Sequence, residues 1–131
     1  GRLWTTLATS SLMIPAVGIG LAVQNPSTPY VIFLALALLC GFGGANFASS
    51  MANIAFFFPK AEKGNALALN AGLGNLGVSV VQFVVPLVIT AGVFGALGGE
   101  AQVASTGERL YLQNAGYICV PFMAASDIAA W

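Results

Sequence analysis

Charged side chains are scarce in this sequence. Four basic and four acidic residues stand among 131, whereas 58% of the residues are hydrophobic. About a quarter of the residues in a soluble domain are charged, so this chain could not cover a soluble surface. The composition therefore predicts an integral membrane protein, and it offers no basic patch with which to bind nucleic acid.

Histidine is absent, and cysteine occurs only twice, as Cys40 and Cys119. The chain therefore cannot supply histidine ligands to haem or zinc, and we expect no cofactor, no metal site and no enzymatic activity. Both cysteines lie within apolar runs, which favours a role as small packing residues over a disulfide.

Four apolar runs predict an all-α, polytopic bundle of transmembrane helices within one domain. The predicted helices cover approximately residues 4–23, 30–58, 65–97 and 110–131. Twenty helical residues span about 30 Å, the thickness of one hydrocarbon core. Polar turns at residues 24–29 and 59–64 and a looser stretch at 98–109 separate the runs, and three helices are expected to contain prolines, at Pro15, Pro86 and Pro121. The chain starts with glycine and ends directly after an apolar run, so we expect a fragment of a larger protein.

Positive charge indicates how the helices are oriented. Lys60 and Lys63 lie in one loop, and Arg2 lies on the same side two helices earlier. The positive-inside rule places these three residues in the cytoplasm and the stretch at residues 98–109 outside, for a multi-pass protein of the bacterial cytoplasmic membrane. Asp127 is the only acid in the apolar runs, and its place near the end of the last run predicts solvation at the cytoplasmic interface.

Two of the predicted helices carry a stripe of polar side chains at helical spacing, which we expect to face the interior of the bundle. The stripe residues are Asn46, Ser49 (or Ser50) and Asn53 in the second helix and Asn75, Ser79 and Gln82 in the third, where Gly72, Gly74 and Gly77 lie beside them. Close helix packing explains the glycines well. It explains the amides less well, because uncharged apolar residues pack without a desolvation cost, so the amides favour a polar site along a substrate path.

The residue types around these stripes predict the chemistry of a ligand. Amides donate hydrogen bonds without full charge, glycines expose backbone, and Phe47 beside Asn46 offers an aromatic face. This combination suits a small planar ligand with several acceptor oxygens. A desolvated anion would also need a cation, and the apolar spans contain neither arginine nor lysine, so that charge would come from outside this chain.

Two motifs resemble the nitrate/nitrite porter family of the major facilitator superfamily. They are "GLGNLGVS" at residues 72–79, similar to that family's glycine-rich signature, and "GFGGANFASSMANIAFFFPK" at residues 41–60. The resemblance implies helices three to six of twelve, within the N-terminal six-helix half, in a secondary active transporter that moves nitrate and/or nitrite by alternating access. Its implied partners are nitrate or nitrite, the lipid bilayer and the remaining helices of the same porter.

The same resemblance assigns roles to particular residues. It implies that Phe47 stacks on the planar anion, that Asn75 donates a hydrogen bond to it, and that Gly44 and Gly74 lie near the site. The anion-binding arginines of the family lie in helices two and eight, outside this chain. For the other polar and small residues the resemblance leaves a role in the pathway or in packing; these are Asn46, Ser49, Asn53, Gly72, Gly77, Ser79 and Gln82.

Three other classes of protein are alternatives to this interpretation. They are another small-anion major facilitator transporter, a small four-helix exporter and a membrane-anchor subunit. An anchor would be expected to carry histidine ligands, and an exporter a buried carboxylate in mid-membrane. The sequence leaves open the preference for nitrate or nitrite, exchange or proton-coupled transport, and the oligomeric state.

Overall fold

The computed structural model describes residues 2–130 and shows an antiparallel helical bundle. Its elements are α1 (Arg2–Gln24), α2 (Tyr30–Phe57), α3 (Lys60–Thr90), a 3-10 helix (Gly95–Gly98), β1 (Gln102–Val103), β2 (Arg109–Leu110), α4 (Asn114–Tyr117) and α5 (Cys119–Ala130). Within the described residues, three helices are long and apolar enough to cross a membrane, with mean hydropathies of 1.7, 2.1 and 1.8. The predicted all-α membrane class is therefore confirmed, with one short hairpin added.

Helix α1 lies between α2 and the α4–α5 segment. Gly18 allows α2 to come close, because a Cβ on this residue would lie 2.6 Å from Leu36 Cδ2. On the other side, a Cβ on Gly116 would collide with the backbone oxygen of Ala16. Small residues at these two contacts bring helix backbones together, as is common in membrane bundles. Gly41 on α2 is not one of these contacts, since a Cβ there would meet no described atom within 4 Å.

Helix α3 differs at both ends from the prediction of 65–97. It begins at Lys60, so residues 60–64 are helical rather than a loop. Pro59 precedes the first turn, and its carbonyl accepts hydrogen bonds from the backbone N–H groups of Glu62 and Lys63, both at 3.0 Å. Proline is favoured at a helix start because it has no N–H group to leave unpaired there. The residue before a proline avoids helical geometry, which explains why α2 ends at Phe57 and not at residue 58.

The other end of α3 lies at Thr90, and turns and a 3-10 helix occupy much of residues 91–98. Glycines make this stretch a poor helix, and Gly95 has a φ of +52° that other residues rarely adopt. The chain is held here by tertiary hydrogen bonds, including one from Tyr111 N to Ile89 O at 2.6 Å. Part of the predicted looser stretch at 98–109 forms the hairpin of β1 and β2, in which Gln102 pairs with Leu110.

The prediction of one helix over residues 110–131 is wrong for its first half. Residue 110 belongs to β2, and a turn at Ile118 separates the short α4 from α5. Pro121 accounts for this break, because a proline ring collides with the carbonyl four residues earlier, here that of Tyr117, and offers no N–H group to it. Pro121 thus stands in the first turn of α5, whereas Pro15 and Pro86 do lie inside α1 and α3. The predicted end at residue 131 lies outside the described residues.

Two amides that are 0% exposed fasten the connection between α3 and α4. Gln113 Nε2 donates to the carbonyls of Gly98 (2.8 Å) and Glu100 (3.0 Å). Asn114 Nδ2 donates to the carbonyls of Val88 (2.9 Å) and Ala91 (3.0 Å). The last carbonyls of a helix have no partner within the helix, so Asn114 supplies what the end of α3 lacks.

Candidate functional site

Phe47 on α2 and Gly74 on α3 meet at the contact between these two helices. A Cβ placed on Gly74 would lie 4.0 Å from Phe47 Cε2, so the ring lies close to the α3 backbone at this position. The Phe47 side chain is 51% exposed. Two of the four predicted substrate-binding residues are therefore neighbours, and one part of the aromatic ring is open to a ligand or to further chain.

Asn75 lies on an exposed part of α3, directly after Gly74. Its backbone carbonyl accepts a hydrogen bond from Ser79 Oγ at 3.1 Å, and its side-chain amide makes no hydrogen bond to the described residues. Within this chain α2 covers only another part of α3, so the expectation that Asn75 faces the interior of the whole bundle stays a prediction. The free amide group is chemically available to an acceptor that this chain does not provide.

Asn46 differs from Asn75 because it faces another helix of this chain. Asn46 Nδ2 lies 3.4 Å from Thr9 Oγ1 on α1, at the long end of the hydrogen-bond range, and the amide joins α2 to α1. Asn46 Oδ1 is buried and has no partner among the described residues. Since successive helical residues point about 100° apart, Asn46 faces α1 while Phe47 faces α3. Asn46 therefore faces the neighbouring helix α1, and its role in the pathway or in packing stays a prediction.

The remaining predicted residues are divided between partly buried and open positions. Ser49 and Asn53 are partly buried, without a side-chain hydrogen bond inside the described chain; the exposed ones are Gly44, Gly72, Gly77, Ser79 and Gln82. A Cβ on Gly44, Gly72 or Gly77 would meet no described atom within 4 Å. Packing within this chain therefore does not explain these three glycines, and Gly44 makes no such contact with Phe47 or Gly74.

Asn70 is a cross-helix residue that the sequence reasoning missed. Its Nδ2 donates to Ser50 Oγ at 3.1 Å and lies 3.3 Å from Met51 Sδ, both on α2. The signal was present, because Asn70 stands five residues before Asn75 at the start of the glycine-rich stretch, but it lies off the predicted stripe. This link holds α3 against α2 one turn away from the Phe47–Gly74 contact.

A cavity of about 620 Å³ lies next to Asn70, between the ends of α2 and α3. Phe58, Glu62 and Asn65 are among the residues that line it. Its only ionisable lining residue is an acid, and an anion requires a positive charge or several donors to offset its lost hydration. This cavity is therefore a poor candidate for an anion site.

Asp127 is the second position that the sequence reasoning judged incorrectly. The side chain was expected to be solvated at an interface, but it is partly buried and accepts a hydrogen bond from Ser10 Oγ on α1 at 2.6 Å. Its other oxygen, Oδ1, is buried without a partner in the described part of the chain. The sequence shows how far Asp127 lies from the end of its own apolar run, but it does not show the contact with α1 that buries Oδ1.

The antiparallel bundle, with three apolar helices of membrane-crossing length, defines a multi-pass membrane protein. No protein-family model matches this chain. The chain is 58% identical over all 131 residues to the nitrate/nitrite transporter NarU of Escherichia coli (strain K12) and 56% identical to NarU of Salmonella typhimurium. It is 45% identical, over 96% of its length, to the probable nitrate/nitrite antiporter NarK2 of Thermus thermophilus.

The chain is thus homologous along its whole length to a segment of nitrate/nitrite transporters, and the resemblance drawn from its two motifs is confirmed. It spans 28% of the length of the two NarU proteins and 29% of that of NarK2.

Proposed function

We propose that this chain is part of a secondary transporter that moves nitrate and/or nitrite across the bacterial cytoplasmic membrane. The observation that carries the proposal is the identity of 56–58% with nitrate/nitrite transporters over an alignment of all 131 residues. Because the chain spans 28% of those proteins, the activity is that of the whole transporter. The lipid bilayer and the remaining helices of the same protein are its partners, and its work is transport rather than enzymatic catalysis.

Within that transporter, α1, α2, α3 and the α4–α5 segment correspond to helices three to six of twelve, in the N-terminal half. Alternating access moves two halves of such a protein about a site near the membrane midplane. The exposed face of α3 supports this arrangement, since Asn75, Gln82 and the glycines beside them are left open by the described chain. Further helices of the transporter would border this face and enclose the path of the anion.

The proposed contribution to the anion site is made by Phe47, Asn75, Gly44 and Gly74. Nitrate is flat, so it can lie against an aromatic ring, and its oxygens accept hydrogen bonds from an amide. The proximity of the Phe47 ring to Gly74 supports a shared site, because Asn75 follows directly in the chain. Gly44 and Gly74 leave room for a close approach. Arginines from other parts of the transporter supply the positive charge, since amide donors alone do not offset the desolvation of an anion.

Anion uptake by the full-length protein, reconstituted in lipid vesicles, tests this proposal. We expect accumulation of nitrate or nitrite, and no accumulation by the 131 residues alone, because their part of the site lacks the charge that stabilises a desolvated anion. Vesicles without protein provide the background. Transport of phosphate or sulfate without nitrate or nitrite would favour another small-anion transporter. Measurable nitrate uptake by the isolated segment would contradict the division of the site.

The proposed orientation places Lys60 and Lys63 in the cytoplasm and the β1–β2 hairpin outside. Ser105 is exposed in the turn of that hairpin. In a cysteine-free version of the full-length transporter, Ser105→Cys should react with an impermeant thiol reagent added to the periplasmic side. Ala61→Cys, exposed in the first turn of α3, is the matched position and should react only from the cytoplasmic side. The reverse labelling pattern would overturn the orientation.

A further inference from the structure

A path of two hydrogen bonds leads from Asn70 on α3 to Phe47 on α2. Asn70 Nδ2 donates to Ser50 Oγ at 3.1 Å. Ser50 Oγ in turn donates to the backbone carbonyl of Phe47 at 2.9 Å. A serine hydroxyl can accept and donate at the same time, so both bonds can be made together. The Asn70 side chain is therefore connected, through one hydroxyl, to the residue whose ring lies next to Gly74.

This path and the ring contact belong to the same interface between α2 and α3. Asn70 and Gly74 are four residues apart on α3, so they share one face of that helix. Phe47 and Ser50 are three residues apart on α2 and likewise share a face. Because the helices are antiparallel, the Asn70–Ser50 and Gly74–Phe47 pairs are successive contacts, about 5 Å apart along the helix axes. The first contact therefore determines where the Phe47 ring lies along α3.

Asn70 is also the polar link that holds these two helices together. Among the described side chains of α3, it alone forms hydrogen bonds with side chains of α2; besides Ser50, its Nδ2 lies 3.3 Å from Met51 Sδ, a weak acceptor. Asn70 and Ser50 are partly buried, whereas residues 72–83 of α3 are exposed. Hydrogen bonds weaken steeply with poor geometry, so this link restricts the register of α2 and α3 more narrowly than apolar contacts do.

We propose that Asn70 is a positioning residue for the anion site, which acts through Ser50 to hold the Phe47 ring beside Gly74 and Asn75. The inference rests on the proposed function and deepens it, because a ring on α2 and an amide on α3 can share one flat anion only while their helices stay in register. A displacement of about 1 Å in the groups that contact a ligand is enough to weaken a site. Asn70 does not contact the anion itself, since its Nδ2 is turned to α2.

Nitrate binding to the purified full-length transporter tests the role of Asn70. Asn70→Ala should raise the nitrate Kd roughly two- to tenfold, the range that corresponds to the loss of one neutral hydrogen bond. Ser50→Ala should raise it to a similar extent. Ser50→Thr should bind nitrate like the parent, because threonine keeps a hydroxyl that can bond to a carbonyl of the preceding turn. The matched control is Asn65→Ala, which removes an exposed amide from the same helix and should leave the Kd unchanged.

A double-mutant cycle with Phe47→Ala separates positioning from general stabilisation. If Asn70 acts through the ring, Asn70→Ala should raise the Kd in the parent but not in Phe47→Ala, so the two effects should not add. A residue that only stabilised the bundle would lower the Tm and leave the Kd of the folded protein unchanged. That result in both Asn70→Ala and Ser50→Ala would overturn the inference, and so would additive effects in the cycle.

Failure of this inference can be told apart from failure of the proposed function. A parent that binds neither nitrate nor nitrite would overturn the proposed function, and the positioning role with it. A parent that binds nitrate and is weakened by Phe47→Ala, but not by Asn70→Ala or Ser50→Ala, would overturn the positioning role alone. If Asn70→Ala does not fold, the comparison of Ser50→Ala with Ser50→Thr still decides, because equal Kd values in these two variants would exclude the path through the hydroxyl.

Discussion

Replacing Asn75 by alanine in the full-length transporter should weaken nitrate binding roughly ten- to a hundredfold. The loss of one hydrogen bond to a charged partner corresponds to about 1.5–3 kcal/mol. The Asn75 amide makes no hydrogen bond within the described chain, and its side chain is exposed there. Its removal therefore breaks no hydrogen bond within the described chain. A higher Kd would then indicate the loss of a contact between Asn75 and the anion.

Gln82→Ala is the matched control for Asn75→Ala. Gln82 is also an exposed amide on α3, and it lies seven residues further along, about 10 Å away. That distance is too long for both amides to bind one nitrate, so Gln82→Ala should leave the Kd close to that of the parent. Binding is measured on purified protein at equal concentrations of folded transporter. If Asn75→Ala and the parent bind equally well, the polar stripe is a packing feature and the proposed site is wrong.

Replacing Asn114 by alanine should destabilise the full-length protein by about 1–3 kcal/mol, the usual effect of leaving buried polar groups without partners. Asn114 is 0% exposed, and its Nδ2 donates to the carbonyls of Val88 and Ala91 where α3 ends. Asn114→Asp should be no better than alanine, because aspartate keeps the shape and has no NH₂ group to donate. A lower Tm in detergent is the expected observation for both variants.

Asn65→Ala is the control for the Asn114 variants. Asn65 is an exposed amide of α3 without a hydrogen bond inside the described chain, so its removal should change the Tm little. A shift for Asn114→Ala no larger than that for Asn65→Ala would show that the buried amide contributes nothing to the stability of this connection. The nitrate Kd of correctly folded Asn114→Ala should match that of the parent, since the residue lies at the far end of α3 from Phe47.

Helix α1 connects α2, which carries part of the proposed anion site, with α5. Two successive residues of this helix make the contacts: Thr9 accepts a hydrogen bond from Asn46 on α2, and Ser10 donates one to Asp127 on α5. Asn46 precedes Phe47 in the chain, so a shift of α1 would change the packing both next to Phe47 and at Asp127. This short path gives a physical route by which the packing of α5 could affect the ring that faces α3.

The sequence by itself determined the class of the protein, the number of apolar runs and the relationship to nitrate/nitrite transporters. These follow from composition, from run length and from two motifs, all of which are local properties of the chain. Helix limits were less predictable where proline and glycine act, because Pro59 starts a helix while Pro121 breaks one. In both cases the residue four positions earlier is helical, Ala55 in α2 and Tyr117 in α4, so the local sequence does not distinguish the two prolines.

Only the tertiary structure decided which polar residues meet another helix of this chain and which side chain Asp127 contacts. Asn46 and Asn75 have the same chemistry and similar stripes, yet Asn46 meets Thr9 on α1 while Asn75 stays exposed on α3. Helical spacing shows which residues share a face, but the direction of that face depends on the neighbouring helices. In the same way, the sequence predicts an interfacial position for Asp127, but it does not predict the hydrogen bond from Ser10 on α1. Burial is a property of packed helices, and a single sequence does not contain the distances between them.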